Sequence, residues 1–240
     1  MKFAPDLYRA ITQRKSTRKY EMQPLSAETL TKVEKAITEL TPLNASIPLS
    51  WHFTQKAKGK FKAEAPHYLI ISGSGTPGEM EEAGFRFEQL VLWLDTEGIG
   101  SVWLGSTKDA EKSDTESNLI TLAFGKTAES LHRTVDEFSR KPLESITNAP
   151  EDECMQAVHL APSGMNSQPW YFEKTANKVL VYQQKLKPPL SFVYKLADLD
   201  MGIALCHYAL ACQQEGRSFT FTRSKTMPDK PGFTPFGIIK

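Results

Sequence analysis

The sequence predicts an α+β fold made of two related halves, and three observations predict it. Two long apolar stretches with helical spacing, residues 79–97 and 198–215, end at Gly98 and Gly216, and each is followed by a strand-like run. Upstream of each stands a short strand that opens on tryptophan, Trp51-His52-Phe53 and Trp170-Tyr171-Phe172. Strands and helices recur along the rest of the chain, a grammar that calls for layers of sheet and helix around a shared core. The halves divide as residues 1–147 and 148–240, intimately packed. With 240 residues, 40% of them hydrophobic, the chain can bury a sizeable core.

The elements follow in order. Residues 5–14 and 26–40 read as helices, the second started by Ser26 with Glu28 and Thr29 after Pro24. Residues 51–54 and 67–71 read as strands. The helix at 79–97 carries the stripe Phe87, Leu90, Val91 and Leu94, and Gly98 ends it. Residues 101–104 and 119–124 are buried strands. In the second half a helix at 151–160 leads into a polar loop, then strands at 170–172 and 179–182. The apolar helix at 198–215 carries Leu205, Tyr208, Ala209 and Cys212, and a strand at 218–222 follows it.

Composition excludes several function classes. A net charge of +1 leaves no basic excess for nucleic acid. The first fourteen residues contain Asp6 and Arg9 and no long apolar run, so neither a signal peptide nor a membrane span is expected there. Cys154, Cys206 and Cys212 are odd in number and lack metal spacing, which suits reduced thiols and a cytoplasmic protein. The five histidines form no ligand pair, and no G-x-S-x-G elbow occurs, so neither a metal site nor a serine hydrolase is expected.

Four segments carry chemistry. Ala161-Pro162-Ser163-Gly164-Met165-Asn166-Ser167-Gln168-Pro169-Trp170 is a loop in which Pro and Gly forbid regular structure. Its small polar groups can approach a flat polar ligand. Arg14-Lys15-Ser16-Thr17-Arg18, if extended, points Arg14, Ser16 and Arg18 to one side, a good binder of anions and carbonyls. The same run also reads as a solvated basic surface. Arg140-Lys141-Pro142 is a basic pair in a loop, and Gly100-Ser101-Val102-Trp103-Leu104-Gly105 is a core strand whose terminal Gly lets a ring approach the backbone. Gly73-Ser74-Gly75-Thr76-Pro77-Gly78 satisfies G-x-G-x-x-G, yet the next strand ends at Gly105 with no acidic residue to hold a ribose. A plain turn is expected there.

Together these segments resemble the nitroreductase superfamily, in a single-chain duplicated branch. The resemblance implies a nitroreductase-like fold, internally duplicated as a single-chain pseudo-dimer with mixed sheets around central helices. It implies FMN as cofactor, NAD(P)H as electron donor and a nitroaromatic, quinone or similar small acceptor, with the catalytic chemistry resident in the flavin. The implied cofactor-binding residues are Arg14, Lys15, Ser16 and Arg18 in the arm, and Leu104 and Gly105 beside flavin N5. They continue with Arg140 and Lys141 at the phosphate, and Pro162, Ser163, Gly164 and Asn166 in the loop. The first half keeps the arm, the N5 strand and the basic pair, and its own loop at 41–50 has lost the polar pattern. The second half keeps the polar loop and has no arm. One complete site and a monomer are therefore expected. The alternative is a non-enzymatic protein, either a flavin carrier or sensor or a decayed flavin fold without turnover.

Overall fold

The computed structural model describes residues 6–60, 63–112, 117–185 and 194–240. Five helices are described: α1 (Asp6–Ile11), α2 (Ala27–Glu39), α3 (Glu79–Thr96), α4 (Glu153–Leu160) and α5 (Tyr194–Gln214). The strands are β1 (Ser50–Thr54), β2 (Ala57–Gly59), β3 (His67–Ser72), β4 (Gly100–Leu104) and β5 (Thr107–Asp109). They continue with β6 (Asn118–Gly125), β7 (Trp170–Lys174), β8 (Val179–Gln184), β9 (Phe221–Arg223) and β10 (Phe233–Ile239).

Two four-stranded sheets flank the central helices, ordered β1-β3-β6-β4 and β7-β8-β10-β9. Every pairing within them is antiparallel. Taken in chain order, the first, second, fourth and third strands stand side by side in both sheets. The strands β2 and β5 make a separate two-stranded ribbon.

The core lies where α3 crosses α5. The stripes at Phe87, Leu90, Val91 and Leu94 and at Leu205, Tyr208, Ala209 and Cys212 are all buried. Two glycines set the closeness of the crossing. A Cβ on Gly84 would lie 2.1 Å from the Leu199 carbonyl oxygen, and one on Gly202 would lie 2.0 Å from that of Glu81. Glycine within a helix costs roughly 0.5–1 kcal/mol relative to alanine, and here it lets two backbones touch. The contact is reciprocal: Gly84 also faces the Ile203 nitrogen, and Gly202 the Phe85 nitrogen.

Helix ends follow local chemistry. The Ser26 side chain accepts the Thr29 N–H at the start of α2. Gly98 and Gly216 adopt φ of 72° and 67° after α3 and α5. The next N–H in each case folds back, Ile99 to the Leu94 carbonyl at 2.8 Å and Arg217 to that of Cys212 at 2.7 Å.

Some boundaries differ from expectation. The first helix ends at Ile11, not 14, because the chain leaves it to become extended at Arg14; residue 5, where it was expected to begin, lies outside the described residues. The strand expected at 218–222 is Phe221–Arg223, the stretch in register with β10. The strands β2, β5 and β10 were not expected. Pro235 and Gly237 break the alternation of β10 and mask it.

Candidate functional site

The arm follows α1 directly. Arg14 bridges His132, Ser16 bridges Ser101, and the Thr17 N–H donates to the Ser101 carbonyl at 3.0 Å. Residues 14–18 thus lie extended along the outer edge of β4. Thr17 turns inward over Gly100, where an added Cβ would meet its Oγ1 at 2.5 Å. Strand alternation then sends Arg14, Ser16 and Arg18 to the other side. Arg14 Nη2 donates to Ser16 Oγ at 2.9 Å. Ser16 and Arg18 line a cavity of about 130 Å³, while Lys15 is exposed and takes no part in its wall.

The facing wall is the polar loop, through Pro162, Ser163, Gly164 and Met165. Its backbone is strained: Met165, Asn166 and Gln168 take φ of 52°, 55° and 40°, a region that side chains adopt at a cost. Neighbours hold it there. Ser163 Oγ accepts the Gln168 N–H at 2.9 Å. The Gln168 side chain donates to the His159 carbonyl at 3.0 Å and accepts the Lys141 N–H at 2.7 Å. The Gly164 N–H donates to both Asp200 carboxylate oxygens, at 3.0 and 3.1 Å. Met165 is left 82% exposed, a large apolar side chain held at the cavity mouth.

Between arm and loop three guanidinium groups gather. Arg133 Nε donates to the Arg14 carbonyl at 3.2 Å, and its guanidinium lies 3.5 Å from the Phe138 ring centre. Arg140 stands 5.4 Å from the same ring centre and reaches Asn166 Oδ1 and the Leu160 carbonyl. Burial first, then the other cations, holds Arg133 and Arg140 down at about 10. Arg14 is also lowered, by burial first, while Glu88 and Asp95 oppose the change. Arg14 Nη1 and Arg140 Nε are buried without a hydrogen-bond partner. Crowded cations with unspent donors suit an anion.

The cavity floor comes from β4 and α5. Gly105 lies under Leu196, whose Cδ1 would be 2.7 Å from an added Cβ. Trp103 is fixed by its Nε1 donating to Glu88 Oε2 at 2.9 Å. Glu88 also meets His207 Nε2 at 3.1 Å, and both are fully buried. His207 Nδ1 lies 3.0 Å from the Ala157 carbonyl, so it carries a proton, since a carbonyl can only accept. The Asp200 carboxyl is pushed up to about 8, by burial first and by the charge of Glu88, against the Gly164 hydrogen bond.

Ser16, Arg18, Gly105, Pro162, Ser163 and Gly164 therefore meet around one cavity. Arg14 and Arg140 stand in the cation cluster next to it, and Asn166 Oδ1 accepts from Arg140. Leu104 is buried in a small cluster with Tyr68 and Val102 and does not line the cavity, whose wall is built by its neighbours Trp103 and Gly105. Lys141 is turned away, its ammonium 3.3 Å from the Gln168 carbonyl and from Gln184 Oε1. Sequence reasoning missed Arg133, Leu196 and Asp200. Only Asp200 left a signal, an acid in an apolar helix.

The Gly73–Gly78 turn is filled from within. Glu79 accepts the N–H groups of Ser74, Gly75 and Thr76. Burial opposes its charge, yet these bonds prevail and hold the carboxyl below its usual range. A phosphate would have to displace that carboxylate from all three donors. Among the described residues no group of three or more His, Cys, Asp and Glu could hold a metal, and no helix is long and apolar enough to cross a membrane.

Comparison with solved structures places this architecture. A putative nitroreductase from Thermotoga maritima superposes with a TM-score of 0.70 at 19% identity, covering 98% of this chain and 92% of that one. A nitroreductase family protein from Clostridium difficile gives 0.47 at 18% identity, over 60% of this chain and 96% of that one. An FMN-dependent nitroreductase from the same organism gives 0.44 at 15%, over 54% and 93%. No curated protein matches by sequence. A family model described as "Putative TM nitroreductase" matches residues 6–212, most of the chain. By that match, and with the fold it shares, this chain belongs to the putative TM nitroreductase family.

Proposed function

We propose that the chain is an FMN-dependent oxidoreductase that takes electrons from NAD(P)H and passes them to a nitroaromatic, quinone or similar small acceptor. The observation that carries this reading is the pair of unpartnered buried nitrogens, Arg14 Nη1 and Arg140 Nε, in a cluster of three guanidinium groups beside the cavity. A phosphate monoester dianion is the kind of acceptor such donors lack and would offset the crowding of the cations, so the residues present fit FMN. Bound there, FMN would supply hydride transfer, and the protein supplies position and charge.

Each residue then has a task. Arg14, Arg133 and Arg140 hold the phosphate, with Ser16 oriented by Arg14. Arg18 places a cation at the cavity, suited to stabilise negative charge on a reduced ring. Asp200 fixes the Gly164 backbone and so the shape of the polar loop. Leu196 and Met165 are apolar covers for a flat aromatic acceptor.

Phosphate recognition is directly testable. Arg14→Ala or Arg140→Ala should weaken FMN binding roughly ten- to a hundredfold, at about 1.5–3 kcal/mol for a charge-assisted contact, and leave riboflavin little changed. Fluorescence titration with both flavins measures it. Equal losses for FMN and riboflavin would remove these residues from a phosphate site. Bleaching of the FMN-loaded protein by NADH or NADPH separates turnover from mere flavin carriage.

We also infer an internal duplication that makes one chain the counterpart of a dimer. The matched strand orders and the reciprocal glycine contact support it. Across the crossing, Glu82 accepts the Asn44 N–H at 2.7 Å, as Asp200 accepts that of Gly164, and Arg86 Nη2 closes on Glu82 at 2.6 Å. That side is occupied by its own ion pair. One FMN per chain and a monomeric holoprotein are expected in sedimentation with flavin absorbance. A dimer whose dissociation releases the flavin would overturn the single-chain reading.

A further inference from the structure

We propose that Cys154 and Cys212 form a dithiol that hydrogen peroxide oxidises to a disulfide, a covalent link between α4 and α5. The inference is independent of the flavin reading. The two sulfurs lie 3.5 Å apart although the residues are far apart in the chain. Both cysteines are buried, yet their surroundings are polar, unlike those of a thiol that only fills an apolar core. Arg217 Nη1 lies 3.2 Å from Cys154 Sγ and 3.4 Å from Asp152 Oδ1, and Arg217 Nη2 lies 3.4 Å from the Tyr208 hydroxyl. The Cys154 N–H donates to Asp152 Oδ1 at 2.9 Å, and Lys174 pairs with the other oxygen of that carboxylate. The Arg217 side chain, in contact with Cys154 Sγ, is 39% exposed and so links the buried pair to the surface.

This arrangement divides the roles. The Cys212 thiol is held below its usual range by the Cys154 S–H, against burial, with help from the Arg217 charge and the Tyr208 hydroxyl. Cys154 is raised, by its bond to Cys212 and by burial. Cys212 is the attacking thiolate and Cys154 the resolving thiol. The Cys212 sulfur attacks one peroxide oxygen; an S–O bond forms, the O–O bond breaks, and hydroxide leaves. That hydroxide takes the Cys154 proton and becomes water. The Cys154 sulfur then attacks the sulfenic sulfur; the S–S bond forms, the S–O bond breaks, and the departing hydroxide is protonated by solvent. Two sulfurs together lose two electrons and the peroxide gains two.

The third cysteine, Cys206, is buried with none of these polar partners and is an internal control. The intact protein is treated with a few equivalents of hydrogen peroxide, denatured, alkylated without reductant and weighed, then digested and mapped. The expected result is a chain about 2 Da lighter before alkylation that takes one alkyl group, on Cys206, with a Cys154–Cys212 cross-linked peptide. Cys154→Ser should leave a sulfenic acid on Cys212 that a 1,3-dione traps. Arg217→Met should slow oxidation about tenfold by lowering the thiolate fraction. Three alkylated cysteines after treatment, a cross-link through Cys206, or an unchanged rate in Arg217→Met would overturn the proposal. The wild-type mass result stands even if a variant fails to fold.

Discussion

Gly202→Ala is expected to destabilise the protein by about 3 kcal/mol or more, the upper end of what overpacking costs. The new methyl carbon would lie 2.0 Å from the Glu81 carbonyl oxygen and 2.8 Å from the Phe85 nitrogen. Both are backbone atoms of a hydrogen-bonded helix, so no rotamer change can relieve the clash. The helices must separate, and the apolar atoms buried between them lose their neighbours. Gly84→Ala should cost about as much, since its Cβ would meet the Leu199 carbonyl at 2.1 Å. The two changes act on one crossing, so the double variant should lose less than the sum. Urea unfolding followed by tryptophan fluorescence measures each. A midpoint for Gly202→Ala equal to wild type would contradict the close crossing.

Asp200 should make the flavin-free protein lose stability as pH rises. Its folded carboxyl is pushed up to about 8, whereas an unfolded aspartate titrates near about 3.9. Between those values the folded state binds the extra proton. Stability from this group is therefore highest below about pH 4, declines as pH climbs to about 8, and is flat beyond. About four units at about 1.4 kcal/mol each make a swing on the order of 5 kcal/mol. Asp200→Asn keeps the shape and an acceptor for the Gly164 N–H but cannot ionise. At pH 9 it should be the more stable protein, and at pH 4 it should match wild type. Buried Glu81, raised to about 7 by burial despite Arg223, slopes the same way in both proteins, so the difference between them isolates Asp200. Parallel stability profiles for the two proteins would show that the carboxyl is not neutral when folded.

The long helices and most strands were legible because their signals are local. Apolar spacing, Ser26 as a cap and the glycines at 98 and 216 each act within one turn of chain. Alternation along residues 14–18 likewise gave the side on which Arg14 and Ser16 meet. What the sequence hid depends on distant partners. Arg133 carries no pattern of its own and matters only because Phe138 and Arg14 fold beside it. Gly84 and Gly202 look like ordinary weak helix formers until the other backbone is seen against them. Cys206 and Cys212 invite comparison because they share a helix, yet the sulfur near Cys212 belongs to Cys154, on another helix altogether. Lys141 fits a basic pair by composition, but its ammonium is claimed by carbonyl oxygens across the fold.

The reciprocal contact at Gly84 and Gly202 has a consequence for how such a site can change. When two identical chains meet about an axis, one codon sets both sides, and every substitution arrives twice. Here each side has its own codons. Glu82 and Arg86 can fill one flank with an ion pair while Asp200 stands beside an open cavity on the other, and neither choice dictates its opposite. The crossing binds α3 and α5 in shape and leaves each flank its own residues to change.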